Sequence, residues 1–103
     1  MGESRAPSLS DVNRLVHEPS RSVILAILCA IDSADFLYLQ RETGLTKGNL
    51  TVHLSKLAQA GYINIEKTYR GSVPQTLCQI TRSGRQAFQA YRRQLKRFIA
   101  DTE

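Results

Sequence analysis

The sequence has little of what enzymes, metal centres and membrane anchors are built from. It holds no glycine-rich phosphate loop, no nucleophile with a fitting histidine and acid partner, and no carboxylate pair set for acid–base work. Asp32 and Asp35 flank a turn, where capping explains them. Catalysis is therefore not expected. Cysteine is limited to Cys29 and Cys78, far apart and without paired spacing, which excludes a zinc knuckle or a disulfide framework and leaves two packed thiols. His17 and His53 are isolated from each other, and no cofactor motif accompanies them. The opening MGESRAPS lacks the apolar core of a leader, and the most apolar run, Val23 to Ile31, is too short to span a bilayer. No membrane partner and a cytoplasmic location are the expectation.

Acidic residues are the other shortage, and theirs is uneven. Residues 1–42 carry four Arg against six Asp or Glu, whereas residues 43–100 carry ten Lys or Arg and one acid, Glu66, a local charge of +9 within a net charge of +5. A basic half in a balanced small protein is the footprint of a polyanion binder. Arg92, Arg93, Lys96 and Arg97 equally suit the solvated face of a helix. With 103 residues, 42% apolar and 22% charged, the chain suits one folded domain with a modest core, of the size that dimerisation often stabilises. Residues 1–8 are expected to be loose and 9–100 to form the domain.

Periodicity predicts five helices and a hairpin. Ser8 and Asp11 have capping-box spacing, which predicts a first helix from Leu9 to about Val16. Pro19 restarts the chain into a central helix reaching Ile31, with Ile24, Ile27, Leu28 and Ile31 at core spacing. After the polar break Asp32-Ser33-Ala34-Asp35, FLYLQRET makes a short helix that Gly44 ends. Gly44 supplies the left-handed turn that lets two helices meet steeply, and Thr46 then caps a helix that Leu50, Leu54 and Leu57 hold down. The exposed edge of that helix comprises Lys47, Gly48, Asn49, Thr51 and Val52, with His53 and Lys56 farther along. These types suit a major groove: Asn bonds adenine bidentately, Lys reaches guanine or phosphate, Thr and Val methyls pack on thymine, and Gly48 permits close backbone approach.

Gly61 closes this helix, and an alternating strand follows from Tyr62 to Tyr69 with Ile63 and Ile65 on one face. A second strand is expected from Gln75 to Ile80, with Arg70-Gly71-Ser72-Val73-Pro74 as the loop between them. Lys67 and Arg70 place two positive charges near the hairpin tip, where a wing lies along phosphates or enters the minor groove.

On LTKGNLTVHLSKLAQAGYI, YRGSVPQT, ITRSGRQAF and FLYLQRETG, roughly residues 12–98, the chain resembles winged helix-turn-helix transcriptional regulators of the MarR and ArsR kind, closest to their short stand-alone members. The resemblance implies an α+β, mainly α fold: a winged helix-turn-helix with five helices and a two-stranded wing. It also implies that Thr46, Lys47, Asn49, Thr51 and Val52 contact bases or phosphates, that Arg70 belongs to the wing, and that the partner is double-stranded DNA. Val52 stands where ArsR-like helices often carry arginine. Metal-responsive relatives bear cysteine pairs before the reading helix or ligands on the last helix; residues 36–43 and 81–103 contain neither Cys nor His, so metal sensing is not expected. The effector is unknown. A protein-docking winged-helix module is the alternative, with an apolar or acidic reading surface as its signature.

Thr81 caps a last helix, about residues 82–100, in which Phe88, Tyr91, Leu95 and Phe98 repeat at 3, 4 and 3 residues, the spacing of a helix–helix seam. With Leu9 and Val12 of the first helix, these are the expected interface of a homodimer acting as a repressor.

Overall fold

The computed structural model describes residues 12–103. The order of elements is α1 (Pro19–Ile31), β1 (Ser33–Asp35), α2 (Phe36–Thr43), α3 (Lys47–Gln59), β2 (Ile63–Arg70), β3 (Val73–Ile80) and α4 (Arg82–Thr102). The described residues thus hold four helices and a three-stranded antiparallel sheet in the order β1-β3-β2, instead of five helices and a two-stranded wing.

One difference has a local cause and the other a distant one. Of the helix expected from Leu9, residues 9–11 lie outside the described part, and Val12 to Val16 form a turn. The Asn13 side chain accepts the N–H groups of Leu15 (3.0 Å) and Val16 (3.2 Å), bonds that compete with a helical ladder. The presumed polar break is strand β1, pairing Ser33, Ala34 and Asp35 with Gln79, Cys78 and Leu77. Only Ala34 is buried there, so no alternation marks the strand; its partner lies more than forty residues along the chain.

The helices begin and end as their caps dictate. Glu18 accepts the Arg21 N–H with Pro19 in the first turn, Asp35 accepts the Tyr38 N–H, Thr46 accepts the Asn49 N–H, and Thr81 accepts the Gly84 N–H. Gly44 closes α2 at φ 72°. Asp32, the non-glycine residue at positive φ (71°), ends α1, pairs with Arg85, and leaves Arg85 Nη1 to donate to the Cys29 carbonyl at 3.0 Å.

The hairpin is longer and tighter than its sequence suggests. Pairing continues to Arg70↔Val73, so the loop is only Gly71-Ser72, with Gly71 at φ 64°. Pro74 is tolerated inside β3 because Tyr69↔Pro74 is the pair next to the closing one. At such a position the imide nitrogen faces away from β2, and β1 pairs only farther along.

The core gathers Val16, Ile24, Leu25, Leu28, Leu39, Leu50, Leu57, Ile63 and Cys78, all fully buried, with Leu54 and Ile80 beside them. Leu25 takes the place expected for Ile31, which is exposed at the end of α1. Burial raises both thiols, Cys78 to about 11 and Cys29 by less, with Arg85 and Arg92 working against the shift at Cys29.

One corner joins three elements. Tyr62 N–H bonds the Leu57 carbonyl and Gly61 N–H the Ala58 carbonyl, both at 3.0 Å, around Gly61 at φ 80°; this is a Schellman closure. The carbonyls it turns outward are taken by Thr81, whose hydroxyl donates to Gly61 O (2.7 Å) and whose N–H donates to Tyr62 O (3.0 Å). A Cβ built on Gly84 falls 2.1 Å from that same Tyr62 oxygen. Gly84→Ala therefore has to push α4 off the corner, against backbone that cannot rotate away. A loss of about 2–3 kcal/mol of unfolding free energy is expected, measured by urea denaturation, against a small gain from alanine at the open position Gly48.

Candidate nucleic-acid interface

Helix α3 is held by one stripe and open on the rest of its surface. Leu50, Leu54 and Leu57 are buried, while Thr46, Lys47, Gly48, Asn49, Thr51, Val52 and Lys56 are all exposed, Val52 to 52%. Helical spacing divides the open surface. Lys47, Thr51 and Ser55 face the hairpin, whereas Gly48, Val52 and Lys56 form a stripe at the front. Thr51 Oγ1 donates to the Lys47 carbonyl (2.8 Å), so the hydroxyl is spent on the helix and the methyl faces outward.

Between α3 and the hairpin lies a groove of about 910 Å³. Lys47 comes to it from α3, Lys67 and Arg70 from β2, and the apolar lining from Phe36, Leu37, Leu54, Ile65, Val73 and Pro74. Three of the expected cationic residues thus converge on one concavity, although 23 positions separate the first from the last. Ile65 shares a strand face with Ile63 and Lys67 and, unlike the buried Ile63, overhangs the groove at 39% exposure.

Asp35 ties α2 to the hairpin at the edge of this groove. One carboxylate oxygen accepts the Tyr38 N–H at 2.7 Å and caps α2; the other accepts from Gln75 Nε2 of β3 at 3.1 Å. These hydrogen bonds, the backbone one first, hold its carboxyl below the usual aspartate range, with Arg41 and Arg70 adding to the effect. The carboxylate therefore stays charged while tied down.

His53 differs from its neighbours. It is partly buried and turned toward α1, with Nδ1 3.1 Å from Arg21 Nη1 and 3.8 Å from Glu18 Oε1. The expected outward set is thereby reduced to nine residues on α3, its cap and the hairpin. Arg21, Asp35, Gln75 and Leu37 escaped the sequence reading. Ser55 was within reach of it, four residues after Thr51 on the same face.

Of the expected dimer residues, Leu9 lies outside the described part. Val12 and Tyr91 are buried in their own chain, each 7% exposed. Phe88, Leu95 and Phe98 are half-buried and Ile99 is open, so the apolar surface left on α4 lies toward its C-terminal end. Tyr91 is anchored by its hydroxyl, 2.8 Å from His17 Nδ1. No group of three or more His, Cys, Asp or Glu able to hold a metal occurs among the described residues, and none of their helices is long and apolar enough to cross a membrane.

Comparison with known proteins agrees with this architecture. The family model of the winged helix DNA-binding domain matches residues 21–99. An uncharacterised protein of Methanocaldococcus jannaschii is 38% identical over 71 residues, which cover 69% of this chain and 77% of that protein. The structure of a transcriptional regulator homologue from Pyrococcus horikoshii superposes with a TM-score of 0.84 at 26% identity, covering 88% of this chain and 90% of the other. With the helix-turn-helix, the basic hairpin and most of the terminal helix inside the matched span, the chain belongs to the winged helix DNA-binding domain family.

Proposed function

We propose that the protein is a sequence-specific, double-stranded DNA-binding transcriptional regulator that acts as a homodimer and represses by occupying its site. The observation that carries this reading is the convergence of Lys47, Lys67 and Arg70 on the groove beside an α3 front made of small and polar residues. In this reading α3 enters the major groove, with Asn49 and Val52 at base edges. Thr46, Lys47 and Lys56 meet phosphates, Thr51 offers a methyl, and Lys67 and Arg70 hold the wing to the backbone.

Gly48 supports the same reading through energetics. Nothing lies within 4 Å of a Cβ built there, so the fold does not require glycine, while glycine costs a helix up to about 1 kcal/mol relative to alanine. Close approach of a partner explains the residue. The homodimer draws on Phe98 and Ile99, apolar residues near the free end of α4, and would set two reading helices roughly 34 Å apart on a pseudo-palindrome. The rival, a module that docks a protein, draws on the exposed Leu37 (68%) and Val73 (62%) in the groove lining.

Selection of duplexes from a genomic fragment pool, followed by salt titration of the winner, separates the two. DNA recognition predicts an affinity falling with a log–log slope of about −0.9 per neutralised phosphate; salt-independent binding or no selected duplex favours the protein-docking module. Lys47→Ala, Lys56→Ala and Arg70→Ala are expected to weaken every duplex alike and each to flatten the slope by about one unit. Asn49→Ala should instead cost about 1–3 kcal/mol of discrimination at one base pair. Gly48→Ala is expected to raise the melting temperature slightly while weakening the selected duplex. Light scattering at tens of micromolar should give twice the chain mass, and Phe98→Glu should return the monomer; a monomeric mass for the native chain contradicts the dimer.

A further inference from the structure

Arg21 is the buried charged side chain of the described residues, 9% exposed, and it takes no part in their ion pairs. Its guanidinium instead spans two elements: Nε donates to the Leu15 carbonyl at 2.6 Å, and Nη1 lies 3.1 Å from Nδ1 of His53 on α3. A guanidinium has donors only, so this contact requires a lone pair on Nδ1, that is, a neutral ring with its proton on Nε2. The nearby carboxylate, Glu18, is engaged by the Arg21 backbone N–H at 2.8 Å.

We propose that Arg21 is a positioning residue for the reading helix, acting through His53. The proposal rests on α3 being the DNA-reading element. His53 follows Asn49 by one helical turn and adjoins Val52, so the rotation of α3 about its buried leucines is fixed where this ring meets the guanidinium. The other end of the contact is itself anchored. The segment that supplies the Leu15 carbonyl also carries His17, bonded to Tyr91 of α4, and Asn13, whose Nδ2 donates to the Tyr62 hydroxyl at 3.0 Å. Arg21 therefore sets the reading face against a frame tied to α4 and to the α3–β2 corner.

The charged groups facing the His53 ring are Arg21 from α1 and Glu18 from the segment ahead of it. Without an acceptor at Nδ1 the guanidinium loses its bond to α3.

The test compares the native chain with His53→Asn and His53→Ala, all checked for folding by circular dichroism, on the selected duplex and on an unrelated one. Asparagine places an oxygen near the position of Nδ1. His53→Asn should match the native chain and His53→Ala should bind the selected duplex roughly ten-fold more weakly, with the unrelated duplex unchanged. His53→Asn as weak as His53→Ala, or His53→Ala equal to the native chain, overturns the proposal. The ring ¹⁵N shifts of His53 in the free protein test the contact without DNA: a neutral ring with Nδ1 unprotonated supports it, and a proton on Nδ1 overturns it. Failure of every variant and the native chain to bind any duplex overturns the DNA reading itself, a result distinct from equal binding by all.

Discussion

The corner at Gly61 and Tyr62 is the constraint on which the other elements depend. Helix α3 ends there in a left-handed glycine, β2 begins at the next residue but one, and α4 starts by bonding the two carbonyls that the turn exposes. Because Thr81 serves both carbonyls and also caps its own helix through the Gly84 N–H, small changes at this point propagate in three directions. The direction of the hairpin, the seat of α4 and the exposed face of α3 are set together. Gly84 lies against the Tyr62 carbonyl because no side chain fits between the helix and the corner.

A second tie, Asp35, works at the other end of the groove. Its two oxygens join the start of α2 to Gln75 of the hairpin, so α2 and the hairpin that carries Lys67 and Arg70 are braced beside the groove that Lys47 also lines. Cations held at a fixed spacing lose less entropy on meeting a polyanion than cations on mobile loops. The same bracing keeps apolar residues such as Leu37 and Val73 open at the groove, where sugars and methyl groups offer apolar partners.

What was legible in the sequence was what local chemistry encodes. Thr46, Thr81 and Gly44 announce helix ends by side-chain type, Leu50, Leu54 and Leu57 announce a buried stripe by spacing, and the basic bias after Thr43 marks the half that carries α3 and the hairpin. What was illegible depends on distant partners. Strand β1 exists because Cys78 lies opposite Ala34, and nothing within three residues of Ala34 reports that. Asn13 breaks the expected first helix with its own side chain, a choice that the capping pattern upstream outweighed in the reading. Arg21 gives no local signal because its partners, the Leu15 carbonyl and His53, meet it only after folding. For the same reason His53, one of a run of polar residues on α3, was assigned to the outer surface although its ring faces inward.

Joint gripping of a duplex by α3 and the hairpin is open to backbone amide shift mapping by NMR, with the selected duplex added to ¹⁵N-labelled protein. Perturbations are expected to concentrate in residues 46–56 and 67–73, with the exposed face of α1 unmoved. Perturbations confined to the basic face of α4, at Arg92, Arg93, Lys96 and Arg97, would contradict it.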